Sequence, residues 1–392
     1  MPPGRFLSNE EGIMSVYVLG AATQRFGKYP DQSIAEMGAD AVRQARLDAG
    51  WDIPVDEVWA GAAFGGMMLG QRIMREVGAD GMPIFNVENA CSSSASALAV
   101  AVERVRSGVA RTALVVGVEK LTAFGGGALP LDEEDWEVRQ GMVMPAVYSM
   151  RAMRYLEETD CEVDDLVEIA VKNHQNGFLN PRAYWSKEVT ADDVWNSRMV
   201  SDPFTLLHCC PNVDGAAAVL IGGEQFLRES GQAPVRILAS AVKSGEFTNG
   251  FRDMTRSGLS FRAVEAAYEQ AGITAKQVGL AEVHDAFSIA EVMYYEALGL
   301  TEPGRGVDLL RSGATRIDGD IPVNPSGGLL ARGHPVGATG IAQIAETTFQ
   351  LQRRAGEVQI RNEAEIGVTH CTGGGAWGFD HGVCTVTVLA RS

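Results

Sequence analysis

The chain reads as an α/β protein whose mainly parallel sheet is covered by helices on both faces, and three observations predict it. Strand-like and helix-like runs alternate along most of the 392 residues, as a sheet built from crossover connections requires. The alternation runs twice, with similar segments in the two passes. Between about residues 120 and 203 the period breaks, so a helical excursion is expected inside the first pass.

Residues 1–13 are polar and rich in Gly, Pro and Asn, and read as a flexible arm. Buried strands are expected at 16–22 and 57–63, with an amphipathic helix at 33–49 between them. A Met-rich segment follows at 65–77, then an extended run that meets Cys91 and a helix of small residues, then an apolar strand at 111–118. The excursion carries an acidic run at 131–137, which reads as solvated surface, and helices at 148–158 and 163–176. The second pass supplies a strand at 235–242, a helix at 259–271, a strand at 280–283 and a helix at 288–298. A helix at 338–353 and a strand entering Gly373-Gly374-Gly375 close it, matching the small-residue helix, strand and Gly125-Gly126-Gly127 of the first pass. The expected division is a first half at 14–235, with its insertion at about 120–203, and a second half at 236–392.

Composition excludes several classes. With 46% hydrophobic and 21% charged residues, the chain can bury more than one core. A formal net charge of −17 argues against a nucleic-acid or anionic-membrane surface, since both need a basic face. No leader-like pattern and no run of about 18 apolar residues is seen, so a cytoplasmic, non-membrane protein is expected. The six cysteines form no C-x-x-C pair, which disfavours a zinc ribbon and suits a reducing compartment. No metal ligand set is predicted.

Three segments carry chemistry. Asn324-Pro-Ser-Gly-Gly-Leu-Leu-Ala-Arg-Gly-His334-Pro-Val-Gly-Ala-Thr-Gly340 surrounds one histidine with five glycines and two prolines, a tight turn that would present His334 to a partner. Phe85-Asn-Val-Glu-Asn-Ala-Cys91 leads a cysteine to a helix N-terminus, where unpaired N–H groups and the dipole favour a thiolate and a lowered pKa. Ile366-Gly-Val-Thr-His370-Cys371-Thr-Gly373-Gly374-Gly375 ends a strand in glycines that let backbone N–H groups approach a ligand oxygen. Each has a plain alternative: a surface loop, a buried structural cysteine, an ordinary strand-to-loop corner.

In this order the three segments resemble the thiolase family over most of the chain. The fourth element, Val283-His284-Asp285-Ala286-Phe287, stands where many thiolases carry Asn-Glu-Ala-Phe, and resembles the branch of sterol-carrier-protein thiolases and their bacterial and archaeal relatives. That branch typically has a cysteine at the place of Ala286 and lacks one at the place of Cys371. The resemblance implies duplicated βαβαβαββ halves in a five-layered αβαβα core, and an acyltransferase that cleaves or forms β-ketoacyl-CoA.

It also implies roles. Cys91 would hold the acyl group, His334 would take its proton, and Cys371 would serve as the second acid/base. His284 would support the oxyanion site beside His334, oriented by Asp285, and the N–H groups of Cys91 and Gly373 would form a second oxyanion hole. Coenzyme A is expected as a substrate, with no permanently bound cofactor. Ser244-Gly245 and Phe287 are its candidate contacts, and Lys243, Arg252 and Arg256 the candidate phosphate ligands. His174, His208, His370 and His381 are read as structural, and Cys209-Cys210 as packing. Met67, Met68, Met74, Met142, Met144 and Met150 with Trp136 hint at an adaptable apolar pocket.

Two other readings stay open. Cys91 with His284 and His334 makes a Cys-His-His set like that of ketosynthase-type condensing enzymes, although Cys371 and His-Asp-Ala-Phe speak against it. A non-catalytic lipid-binding or scaffold subunit is the other, working with a separate OB-fold zinc-ribbon partner. A homodimer or homotetramer is expected.

Overall fold

The computed structural model describes residues 14–125, 127, 129–131, 133–246, 253–375 and 381–392; the arm expected at 1–13, Gly126 and Arg252 lie outside them. The first half runs β1 (Val16–Thr23), α1 (Ile34–Ala49), β2 (Glu57–Gly61), α2 (Leu69–Val77), β3 (Ile84–Val87), α3 (Ser93–Arg106) and β4 (Thr112–Lys120). The excursion contributes α4 (Trp136–Arg139), α5 (Met144–Glu158), α6 (Val163–Leu179), α7 (Ala191–Asn196) and the short pair β5 (Met199–Ser201) and β6 (Phe204–Thr205), before β7 (Asp214–Gly223) and α8 (Leu227–Ser230). The second half follows as β8 (Val235–Ser244), α9 (Gly258–Ala271), β9 (Leu280–Glu282), α10 (Ser288–Ala297), α11 (Gly306–Arg311), α12 (Gly328–Ala331), α13 (Thr339–Leu351), β10 (Ile366–Gly373) and β11 (Val383–Arg391).

Local chemistry sets these boundaries. Ser33 caps α1 in a reciprocal box with Glu36, and Gly50, at φ 90°, ends it. Both central strands of the first half are apolar on both faces. Leu114, Val116 and Val118 of β4 join α1 in one core, while Ala113 and Val115 join α3 and α13 in another.

Outward from the centre the strands read β1-β7-β4-β2-β3 on one side and β8-β11-β10-β9 on the other. In the first set β7 runs antiparallel to β1 and β4, while β2 is parallel to β3 and β4. In the second, β11 runs antiparallel to β8 and β10, and β9 is parallel to β10. A parallel bridge from Ala281 to Val323 stands where the second half has no full counterpart of β3. The two sets meet where β1 and β8 pair antiparallel. The duplication hinted at by short matching segments is thus a duplication of topology.

Helices α3 and α13 each contact strands of both sets, so they form the middle of five layers, with α1 and α2 outside one set and α9 and α10 outside the other. A middle layer must be buried all round, and every residue of α13 is. It must also be thin. A Cβ on Gly61 would stand 2.4 Å from the Ser94 backbone, and one on Gly340 would stand 2.6 Å from Ala95 Cβ. The excursion crosses to the other half, where α5 and α6 pack on α10 and α6 on α12.

Candidate active site

Cys91 lies in a single 3₁₀ turn, Ala90–Ser92, between β3 and α3. The turn is entered through Ala90 at φ 48°. It sits against β10, and Gly373 makes that approach feasible: a Cβ there would stand 2.3 Å from Asn89 O and 2.8 Å from Ser92 N. His334 follows Gly333, at φ 107°, and precedes the turn that starts α13. His284 leaves the end of β9. Elements from both halves therefore converge, and the Cys91 sulfur and one ring nitrogen each of His284 and His334 lie within 4.8 Å of one another. This is also the one such grouping among the described residues that a metal ion could bridge; a nucleophile with its bases accounts for it equally.

The hydrogen bonds fix which ring atoms are free. Thr339 Oγ1 is 3.3 Å from Pro335 O, to which it donates, and 2.7 Å from His334 Nδ1, from which it must then accept. Nδ1 carries the proton and Nε2 is left as the basic nitrogen. His284 Nδ1 faces Cys371 Sγ at 3.5 Å, and that thiol is also 3.2 Å from Cys91 O. The rings of His284 and His334 meet edge to face, 5.0 Å between centroids.

Burial keeps all four groups neutral. It pushes the Cys91 thiol up to about 12, helped by the nearby carboxylates of Glu119 and Glu88 and opposed by backbone N–H groups of Gly374 and Cys91 itself. It holds His334 down at about 3, with Arg332 adding to the effect. His284 is held well below the usual imidazole range by burial and by the neighbouring histidines, and Cys371 is raised by burial and by Cys91. Desolvation here works against the thiolate that the helix N-terminus favours.

The N–H turned to the Cys91 sulfur from the glycine run belongs to Gly374, next to Gly373, the expected oxyanion donor, which also allows the close approach. One assignment changes its partner. Asp285 does not orient His284. Its carboxylate accepts from the backbone N–H groups of Leu329 at 2.6 Å and Leu330 at 3.4 Å and from Asn173 at 2.8 Å, so it caps α12.

The constellation opens into a cavity of about 980 Å³ whose wall includes Cys91, His284, His334, His381, Tyr148 and Phe287. Cys371, 2% exposed, is not part of that wall. Of the methionines read as a pocket, Met144 lines it. Met67 and Met68 are 89% and 62% exposed, and Met74 is buried in the core beside α1. Of the coenzyme A candidates, Phe287 lines the cavity, whereas Ser244 and Gly245 sit at the end of β8, where Gly245 N–H donates to Gly382 O at 2.8 Å. Lys243 and Arg256 are exposed away from that wall; the cations in it are Lys28 and Arg198. His381, read as structural, is in the wall, and no periodicity could have found it. The other histidines are buried off the cavity: His174 Nδ1 donates to Ala170 O of its own helix, and His208 and His370 pair with Ser288 and Ser260.

Fold and site together define a protein of two α/β halves that bring a cysteine and two histidines to one cavity. The Thiolase, N-terminal domain family matches residues 16–225 and the Thiolase C-terminal domain-like family matches 240–383. The chain belongs to the thiolase family and is an acyltransferase of that kind. It is 40% identical over 372 residues to the acetyl-CoA acetyltransferase of Methanothermobacter thermautotrophicus, covering 92% of this chain and 97% of that one. It is 37% identical over 378 residues to the benzoylsuccinyl-CoA thiolase subunit BbsB of Thauera aromatica, covering 94% and 98%. Human sterol carrier protein 2 is 32% identical, over 93% of this chain and 71% of that protein. Among solved structures, an Ltp2-ChsH2(DUF35) aldolase shares the fold at TM-score 0.83 and 21% identity over 96% of this chain and 98% of that one. Human mitochondrial 3-ketoacyl-CoA thiolase in complex with CoA shares it at 0.69 and 20% over 97% and 98%.

Proposed function

We propose that the chain cleaves a β-ketoacyl-CoA with coenzyme A, or runs the reverse Claisen condensation, through an acyl group carried on Cys91. The observation that carries this is the approach of the Cys91 sulfur to nitrogens of His334 and His284, all within 4.8 Å, at the wall of a cavity of about 980 Å³. A neutral thiol beside a neutral imidazole calls for general-base catalysis. His334 Nε2 takes the proton as Cys91 Sγ bonds to the keto carbon. The imidazolium so formed then donates to the thioester oxygen. The N–H groups of Cys91 and Gly374 face the oxygen that develops charge on the attacked carbon.

The Cα–Cβ bond breaks toward the departing acetyl-CoA, whose carbanion takes a proton supplied by Cys371. In condensation Cys371 takes that proton back. The Cys371 thiol donates to Cys91 O at 3.2 Å in the resting site; when that proton turns to His284 Nδ1, 3.5 Å away, His284 Nε2–H becomes the donor to the thioester oxygen. The nucleophile comes from the half at 14–235 and the three helpers from the half at 236–392. Lys28 and Arg198, with no ion-pair partner among the described residues, suit the phosphates of coenzyme A, and Phe287 its pantetheine arm.

The exposed edge of β3, paired on one side only, leaves room for a homodimer. A separate OB-fold zinc-ribbon partner remains part of the reading, since one relative is named as a subunit and one structural neighbour is a complex with a DUF35 protein. No described helix is long and apolar enough to cross a membrane, and all six cysteines are free; a cytoplasmic setting fits both. Intact-mass and peptide mass spectrometry after incubation with acetyl-CoA should find the acetyl group on Cys91. Cys371→Ala should still be acetylated but lose condensation, and Cys91→Ala should lose both. No adduct on the unmodified chain, with or without a partner, removes the enzymatic reading; full turnover by Cys371→Ala removes the role of Cys371.

A further inference from the structure

His381 and Gly382 grip both peptide units around Gly374. His381 Nδ1 is 2.8 Å from Gly374 O. Gly382 N–H donates to Gly373 O at 3.0 Å, and the Gly373 carbonyl belongs to the same peptide plane as the Gly374 N–H that faces the Cys91 sulfur. Gly374 itself has φ 70°, so the sharp reversal here is held by neighbours and by glycine's own freedom.

The ring is fixed as well. A carbonyl oxygen can only accept, so Nδ1 carries the proton and Nε2 is the acceptor. Tyr148 Oη lies 2.7 Å from that Nε2, and Tyr294 Oη 3.5 Å. Tyr148 is in turn stacked on Phe287, 4.5 Å between centroids. A chain of contacts therefore runs from the cavity wall through Tyr148 and His381 to Gly374.

We propose that His381 is a positioning residue for the oxyanion donor. It holds the Gly374 reversal so that the N–H stays aimed at the oxygen that forms on the carbon attacked by Cys91, and Tyr148 fixes the ring that does the holding. This rests on the acyl-enzyme reading above. Oxyanion donors act only within a narrow distance range, so a loosened reversal costs rate more than substrate binding.

The test compares His381→Asn, His381→Gln, His381→Ala and Tyr148→Phe with the unmodified chain. Pre-steady-state acetylation of Cys91 from acetyl-CoA, steady-state kcat and KM, and thermal melting are measured for each. Asn places an amide N–H near the position of Nδ1 and keeps a donor for Gly374 O; Gln places its amide near Nε2 and does not. Expected are a fall of about 10- to 100-fold in the acetylation rate for Gln and Ala, KM changed less than about 3-fold, and substantial recovery in Asn. Tyr148→Phe should lose less than Ala. Equal losses in Asn, Gln and Ala, or losses that follow the melting temperature, overturn the proposal. So does an unchanged acetylation rate in His381→Ala. If the unmodified chain itself fails to acetylate Cys91, the fault lies in the acyl-enzyme reading and not in the clamp.

Discussion

Burial disfavours the Cys91 thiolate, which sets the site apart from cysteines that rest as thiolates beside an imidazolium. With the thiol pushed up to about 12 and His334 held at about 3, neither group is charged near neutral pH. Alkylation of Cys91 by iodoacetamide should therefore rise about tenfold per pH unit from pH 6 to 9, as the small thiolate fraction grows. The sign follows from the raised thiol: its nucleophilic form is gained only as pH climbs toward that pKa. A flat rate between pH 5 and 7 would reveal a preformed ion pair. Cys91 and His334 stood out because each sits in a run of small residues or glycine with few other uses, and His284 because His-Asp-Ala-Phe stands where many thiolases carry Asn-Glu-Ala-Phe. Their protonation was not legible, since it depends on how much protein surrounds them. The misreading of Asp285 has the same origin. Its nearest donors, Leu329 and Leu330, are more than forty residues away in the chain, where sequence adjacency to His284 says nothing.

The middle helices carry the site, and their closeness is a matter of missing side-chain atoms. The turn holding Cys91 opens α3 and the turn that follows His334 opens α13, so Cys91 and His334 are as well registered as the two helices are. Gly340 against Ala95 sets that registration. Gly340→Ala should cost about 1–3 kcal/mol or more, seen as a lower melting temperature, and should slow acetylation of Cys91 even where the chain stays folded. Retention of both stability and rate would mean the helices can separate freely. Strand and helix positions were readable from periodicity to within a few residues, because both halves bury apolar residues on regular patterns. The excursion was readable as a break in period with helices at 148–158 and 163–176, near the observed α5 and α6, but not in where it packs. That α5 and α6 cross to lie on α10 and α12 follows from which faces are left uncovered in three dimensions, and brings Tyr148 and Met144 to a wall that the sequence could not draw.

At the scale of the molecule, a chain of net charge −17 must still admit a polyanion. Lys28 and Arg198 at the cavity wall are local exceptions to that field. Arg198→Glu should raise KM for coenzyme A about 5- to 10-fold with kcat nearly unchanged, and added salt should narrow the difference from the unmodified chain. An unchanged KM would move the phosphates elsewhere. The source of the cavity wall has a wider consequence. The groups proposed to react, Cys91, His284, His334 and Gly374, hang from sheet ends and central helices, whereas Leu129, Met144, Tyr148, Trp185 and Arg198 come from the excursion between β4 and β7. The groups given the chemistry and most of the wall beyond them thus sit on separate stretches of chain, with Tyr148 of the excursion touching both through His381. Exchanging residues 127–212 for the equivalent stretch of another member would transplant a preference for one acyl group while leaving the reaction in place, so the excursion is the natural cassette for redesign and for divergence among paralogues.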